Sequence, residues 1–328
     1  MSASENNLLF IFPGQGSQYP GMGSDLHREH AVVRATYEQA SDVLGYDVAA
    51  LSFEDPDGRL NLTRFTQPAL LTHSIACLEV FRELTGNRIQ PTMAAGHSLG
   101  EYSALVAAKA ISFESALNLV QKRGDLMGSH GEGEMSAFPL DVDSIRPLAE
   151  RFHCAIAGCN LPQQTVVGGR SADLEALEQA AQEQFERARF TRLKTEGAFH
   201  TYYMVKAAQL FRPVLEEAAF AATDVRVLSN FAGGFHVNDP MDIRSRLFFQ
   251  LFHPVLWHAN LQAAFAEEVS TVVEFGGGIG PAAEPGGKRP NLQSMIKRVL
   301  RASGQQADYH AVINTESLAA AAEAFTQG

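Results

Sequence analysis

The stretch Ala94-Ala95-Gly96-His97-Ser98-Leu99-Gly100-Glu101 decides the fold class of this chain. It sets a Gly-X-Ser-X-Gly pattern between a short apolar run, Thr92-Met93-Ala94-Ala95, and a helix-forming run from Glu101 to Lys109 with Tyr102, Leu105 and Val106 at helical spacing. Pro91 stands just ahead, where proline suits the first residue of a strand. A strand that turns this sharply into a helix needs small residues on both sides of the turn, and Gly96 and Gly100 supply them. The turn leaves Ser98 strained, with its hydroxyl standing above the sheet. It also sets the Leu99 N–H at the start of the helix, facing any oxyanion formed beside Ser98. By itself the pattern fits a Gly-rich turn with a serine helix cap as well as a nucleophile. The strand before it and the helix after it favour the nucleophile.

Working outward, Leu8-Leu9-Phe10-Ile11-Phe12 reads as a buried strand running into Pro13-Gly14-Gln15-Gly16-Ser17-Gln18. This Gly-rich loop lacks the Gly-Lys-Ser/Thr ending of a phosphate cradle, and its Gln15 N–H is placed to act as a second oxyanion donor. Apolar spacing predicts helices over 30–45, 67–86 and 112–128, the last capped by Ser112, with a turn-rich loop over 53–62. Arg123 falls in the third helix, where a solvated or salt-bridged side chain is the ordinary expectation. The rhythm changes at Ser129-His130-Gly131-Glu132-Gly133. From there the chain reads strand (134–140), helix (142–152), strand (154–159), strand (164–168), helix (171–186) and strand (189–194), a β-α-β-β-α-β order that predicts a ferredoxin-like subdomain over 131–195. The flanking segments, 1–130 and 196–328, form the main domain. After the insert come Gly197-Ala198-Phe199-His200, a helix through Met204, Ala207, Leu210 and Val214, a strand at 225–229, a helix at 240–252 and a strand at 271–275. Alternating strands and helices outside the insert predict an α/β fold with a parallel, helix-covered sheet. Sites in such sheets lie at the carboxyl ends of strands, where the loops bearing Gln15, Ser98 and His200 can meet.

Composition narrows the function classes. With 328 residues and 45% apolar content the chain can bury a large core. No apolar run approaches a membrane span, and Met1–Asn7 lacks the basic start of a signal peptide, so a cytoplasmic protein with no membrane partner is expected. The formal charge of −11 argues against nucleic acid. Cys77, Cys154 and Cys159 have no metal-ligand spacing and are expected to be reduced core residues.

A serine hydroxyl needs a neighbouring base. The chain has eleven histidines. His97 adjoins Ser98, but its side chain leaves the elbow in another direction. His253 precedes Pro254. His27, His30, His73, His130, His153, His236, His258 and His310 sit in charged, turn or helical contexts that suggest surface or capping roles. His200 follows a small apolar run at the return from the insert, which favours it, and the residues alone leave the choice open.

The motifs taken together resemble those of the malonyl-CoA:acyl-carrier-protein transacylases, including the acyltransferases of polyketide synthases. They are Phe12-Pro13-Gly14-Gln15-Gly16-Ser17-Gln18, Gly96-His97-Ser98-Leu99-Gly100-Glu101-Tyr102-Ser103, Lys122-Arg123-Gly124-Asp125-Leu126-Met127, Asn160-Leu161-Pro162-Gln163-Gln164, Gly197-Ala198-Phe199-His200, and Gln250 with Pro254-Val255-Leu256-Trp257. The resemblance spans about 8–280 and implies an α/β-hydrolase-like core with a ferredoxin-like insert. It implies Ser98 as acylated nucleophile, His200 as general base, and the N–H groups of Gln15 and Leu99 as oxyanion hole. It further implies Arg123 as the clamp on the malonyl carboxylate, the Gln250 carbonyl as the group orienting His200, Asn160 at the pocket rim, and Phe199 crowding out an α-methyl group. Malonyl-CoA and an acyl carrier protein are the implied partners, the phosphopantetheine being carried by the latter. No metal or other cofactor is implied, and the family is usually monomeric.

The sequence departs from the family pattern at Thr201-Tyr202-Tyr203-Met204, at Leu256, and at Gly276-Gly277-Gly278. The tail from 281 to 328 lies outside the resemblance. An acyl hydrolase of the same fold, clearing acyl groups from carrier proteins, is the rival; it would share Ser98 and His200 but gain nothing from a buried Arg123. Two basic clusters, Arg187, Arg189, Arg192 and Lys194, and Lys288, Arg289, Lys297, Arg298 and Arg301, are candidates for docking an acidic carrier.

Overall fold

The computed structural model describes residues 7–185 and 188–326. The first stretch forms β1 (Leu8–Phe12), α1 (Ser24–Glu29), α2 (Ala31–Leu44), α3 (Val48–Phe53), α4 (Thr63–Leu84), β2 (Met93–Gly96), α5 (Gly100–Ala107) and α6 (Phe113–His130). Then come β3 (Glu134–Phe138), α7 (Val142–Arg151), β4 (Ala155–Leu161), β5 (Gln164–Gly169), α8 (Ser171–Gln184) and β6 (Thr191–Leu193). The chain closes with α9 (Val205–Glu217), β7 (Arg226–Ser229), β8 (Gly234–Phe235), α10 (Pro240–Gln250), α11 (Trp257–Phe265), β9 (Thr271–Phe275), α12 (Gln293–Ser303), β10 (Asp308–Val312) and α13 (Thr315–Thr326).

The larger sheet has the order β10-β9-β1-β2-β7-β8, parallel from β10 through β7 and closed by antiparallel β8. Its central strand β1 is apolar at every position because both faces are covered. Leu8, Phe10 and Phe12 enter one core with α2, α4, α5 and α6, while Leu9 and Ile11 enter another with Trp257, Leu261, Ile296 and Val299. Phe10 and Phe275 meet edge to face at 4.8 Å across neighbouring strands.

The smaller sheet has the order β4-β5-β3-β6 with every pairing antiparallel. One face carries Phe138, Ile156 and Val167 against α7 and α8. The other carries Met135, Ala157 and Val166 against Met127, Phe199 and Met204 of the main body. Alternation along these strands therefore welds the small sheet to its own helices on one side and to the site on the other.

Three differences from the sequence expectation have physical causes. Helix α4 begins at Thr63 rather than 67, running through Pro68. Pro68 has no N–H to give the Arg64 carbonyl, and the Gln121 side chain donates to that carbonyl instead at 3.2 Å. Short helices α1 and α3, too brief for a periodic signal, fill the segments before α2 and after it. The tail unmatched by the resemblance supplies α12, α13 and strand β10, which pairs with β9 from Asp308 to Val312. Cys77, Cys154 and Cys159 are all free thiols. No helix among the described residues is long and apolar enough to cross a membrane.

Candidate active site

Between β2 and α5 the backbone turns so tightly that a Cβ on Gly96 would fall 1.8 Å from the Gly100 carbonyl carbon, and one on Gly100 would fall 2.2 Å from the Phe12 oxygen. Ser98, at the apex, is held in the left-handed region at φ 52°. Asn230 clamps the turn: its Oδ1 accepts from the Ser98 N–H at 2.6 Å and its Nδ2 donates to the Gly96 carbonyl at 2.7 Å. The strain is thus secured by hydrogen bonds from the end of β7.

His200 reaches Ser98 from the segment that follows β6. Its Nε2 lies 2.7 Å from Ser98 Oγ, and its Nδ1 lies 2.7 Å from the Gln250 main-chain carbonyl. A carbonyl only accepts, so Nδ1 carries the proton and Nε2 presents its lone pair to the serine hydroxyl. Burial, and then the Arg123 charge beside it, pull the His200 pKa down to about 3, against the upward pull of the Gln250 carbonyl. The ring is therefore a neutral base at ordinary pH.

Arg123 comes from α6 and is fully buried. Its Nη1 donates to Gln67 Oε1 at 2.9 Å, and its Nη2 donates to Gln250 Oε1 at 2.9 Å and to Ser98 Oγ at 3.1 Å. The guanidinium carbon lies 5.6 Å from the centre of the Tyr102 ring, and Nε has no hydrogen-bond partner. The solvated or salt-bridged side chain that its position alone suggests is not what forms: the partners are neutral amides and a hydroxyl, because Arg123 sits on the inward face of α6.

Ser98, Leu99, Arg123, Phe199 and His200 line one cavity of about 820 Å³, together with Gln15 and Asn160. His97 also lines it, turned away from the nucleophile and within 2.9 Å of Asn160 Oδ1. Ala157, Val166, Met127 and Met135 supply apolar wall, so the cavity lies between the two sheets.

A strained serine hydroxyl, a neutral histidine and a buried guanidinium, all on one cavity, can form and hold an acyl ester bearing a negative charge. The sequence model for the acyl transferase domain matches residues 9–276. The chain belongs to the acyl transferase domain family.

This acyltransferase is 36% identical over 282 residues to a malonyl CoA-acyl carrier protein transacylase of Bacillus subtilis (strain 168), covering 83% of this chain and 87% of that one. It is 37% identical over 259 residues to a polyketide biosynthesis malonyl CoA-acyl carrier protein transacylase of Bacillus velezensis, covering 78% of this chain and 87% of that one. Its fold is similar, with a TM-score of 0.85 and 34% identity, to a malonyl-transacylase solved in complex with a type II polyketide-synthase acyl-carrier protein, over 97% of this chain and 99% of that one.

Reasoning from sequence missed part of the acyltransferase's site. Asn230, Gln67 and Glu101 contact or support the nucleophile and the guanidinium, yet no local pattern marks Asn230 or Gln67. Glu101 stood within the elbow motif, its burial being the missing fact. The expectation of surface or capping roles fails for His73, which is fully buried, and for His236, whose side chain is 3% exposed and bonded to Glu101. Of the basic clusters, Arg187 lies outside the described residues, and Arg192 is held by Glu134 and Glu178. Lys288 stacks on Tyr19 and donates to the Gly280 carbonyl, whereas Lys297, Arg298 and Arg301 stand exposed on α12.

Proposed function

We propose that this acyltransferase moves a malonyl group from malonyl-CoA to the phosphopantetheine thiol of an acyl carrier protein. The observation that carries this is the placement of Arg123 Nη2 3.1 Å from the nucleophile Ser98 Oγ, in a cavity wall that is otherwise largely apolar. A three-carbon diacid esterified at Ser98 brings its free carboxylate within reach of that guanidinium. A charge-assisted pair then forms in a partly dry site. An uncharged acyl chain would leave the cation unpaired, which disfavours the hydrolase alternative.

In the first half-reaction His200 Nε2 takes the Ser98 hydroxyl proton as Oγ attacks the thioester carbonyl. The N–H groups of Gln15 and Leu99 receive the developing oxyanion. Collapse breaks the C–S bond, and the imidazolium returns its proton to the departing CoA thiolate. In the second, His200 deprotonates the carrier's thiol, which attacks malonyl-Ser98, and the proton returns to Ser98 as the ester breaks. No metal or organic cofactor enters either step. Phe199, buried against Met127, Met135 and Met204, leaves little room for an α-methyl group and favours malonyl over methylmalonyl.

The architecture we assign is an α/β-hydrolase-like core over 1–130 and 196–328, with a ferredoxin-like insert over 131–195. The parallel main sheet and the antiparallel β4-β5-β3-β6 order support it. Lys297, Arg298 and Arg301 present a basic face on α12, whose neighbouring residues Asn291, Leu292 and Met295 line the cavity, and we assign this face to the acidic carrier. A monomer acting in the cytoplasm, in trans on a carrier of fatty-acid or polyketide synthesis, fits this scheme.

Intact-mass analysis after exposure to malonyl-CoA tests the proposal. The wild type gains one malonyl group and Ser98→Ala gains none. Arg123→Ala lowers the malonyl specificity constant by about 10–100-fold, the value of one charge-assisted pair, while acetyl transfer holds or rises. A wild type that hydrolyses uncharged acyl-carrier thioesters faster than it transfers malonyl, with Arg123→Ala indifferent, would return the assignment to the hydrolase.

A further inference from the structure

Arg123 is a buried cation whose hydrogen-bond partners are all neutral, so the charge that balances it must come from the next layer of residues. Following the bonds outward from Gln250 leads to that charge. Gln250 Oε1 accepts from Arg123, while Nε2 of the same amide donates to Glu101 Oε2 at 2.8 Å and to the Ser98 carbonyl at 3.1 Å. An amide is ambiguous in orientation until its neighbours choose, and here two acceptors take the nitrogen. A carboxylate at Glu101 thus obliges Gln250 to show its oxygen to the guanidinium.

Glu101 is itself completely buried and fully engaged. Oε2 also accepts from the Asn230 N–H at 2.9 Å, and Oε1 accepts from His236 Nε2 at 2.8 Å. Asn230 is the residue that clamps the Ser98 turn. One carboxylate therefore ties together the strand end that holds the nucleophile and the amide that aims the guanidinium. His236, from the segment after β8, is the donor that secures its other oxygen.

We propose that Glu101, backed by His236, is the positioning residue that makes Arg123 a receptor for a carboxylate, by fixing the orientation of the Gln250 amide. It touches neither acyl group nor reacting atoms. The proposal rests on Arg123 being the malonyl receptor, and it goes further by naming the group that makes that receptor selective.

The two can fail separately. Self-acylation is measured with malonyl-CoA and acetyl-CoA, resolving KM and kcat, in wild type, Glu101→Gln, His236→Gln and His236→Leu. A glutamine at 101 removes the negative charge behind the Gln250 amide and can turn its own N–H toward Gln250 Nε2, which loosens the hold on that amide. The expected result is a malonyl-to-acetyl preference lowered about tenfold in Glu101→Gln, the order of one charge-assisted hydrogen bond, with the difference between the two thioesters falling on KM. His236→Gln, which keeps an N–H for Glu101, should hold the malonyl-to-acetyl preference, and His236→Leu should lose it. Should Glu101→Gln fail to fold, the contrast between the two His236 variants decides. Equal losses on both thioesters, or a preference unchanged by Glu101→Gln and His236→Leu, overturns the proposal while leaving Arg123 as receptor. A wild type with no malonyl preference overturns both.

Discussion

Ser98 and His200 both adopt left-handed backbone conformations, at φ 52° and 62°, a region uncommon outside glycine. Each is held there by the bonds around it, and that strain brings Oγ and Nε2 within 2.7 Å. His200 works beside a permanent cation, which carries a consequence for pH. With its pKa drawn down to about 3, the acid limb of self-acylation lies well below the range of an ordinary histidine. Removing the positive neighbour raises that pKa, because the imidazolium no longer faces like charge. The acid limb of acetyl-CoA self-acylation should accordingly move to higher pH in Arg123→Ala, and a profile superimposable on wild type would show that Arg123 does not govern the base. His200→Ala should slow acylation about 10²–10⁴-fold at any pH, measured as the single-turnover rate. At this scale the elbow serine was legible from its glycines together with the strand before it and the helix after it. His200 was not singled out by the residues alone, because eleven histidines are chemically alike until the fold buries one against a carbonyl and a hydroxyl.

Strand β9 shows how an element can be recognisable and its chemistry hidden. Thr271–Phe275 reads as a buried strand from its apolar content, yet it carries Glu274 fully buried in the middle of the fold. The carboxylate accepts from the Asn291 and Leu292 N–H groups and from the Tyr309 hydroxyl, anchoring the segment ahead of α12 to β9 and β10. Burial pushes its pKa up to about 7 in spite of those donors. A carboxyl whose folded pKa exceeds its unfolded value costs nothing when protonated in both states. Its contribution to stability is therefore full below about pH 4.5 and is lost as pH rises through about 7. Histidines buried in the neutral form act in the opposite sense over part of this range, so a single profile mixes the two. The difference in unfolding free energy between wild type and Glu274→Gln removes the histidines. That difference should shift in favour of the glutamine variant from about pH 4.5 to 7 and then level off, and a flat difference would mean that Glu274 stays ionised throughout. Helix ends were the other hidden feature: α4 starts at Thr63 because Gln121, on a different helix, satisfies the carbonyl that Pro68 leaves open.

Across the whole molecule, the tail completes the main sheet rather than hanging from it. Strand β10 covers β9, Phe325 packs against Phe81 at 5.5 Å, and Asp25 accepts from the Thr315 N–H at 2.8 Å. Leu292, Ile296, Val299 and Leu300 sit in the same core as Leu9 and Ile11 of the central strand. Burial of each such side chain is worth about 1.5–3 kcal/mol, so four of them rival the roughly 5–15 kcal/mol by which a whole domain is stable. A chain ended after Gly280 should show no cooperative thermal transition and no self-acylation, and a sharp melt with retained labelling would make the tail dispensable. The sequence by itself determined the α/β class, the elbow and the β-α-β-β-α-β succession over 134–194, because those follow from spacing, glycine placement and apolar rhythm along neighbouring residues. Only the tertiary structure shows which histidine stands within hydrogen-bond reach of Ser98, that Arg123 is paired with amides instead of carboxylates, and that Asn230, Glu101 and His236 stand behind them. Those facts depend on burial and on contacts between residues more than a hundred positions apart, such as Ser98 with His200 and Glu101 with His236, and no local pattern encodes them.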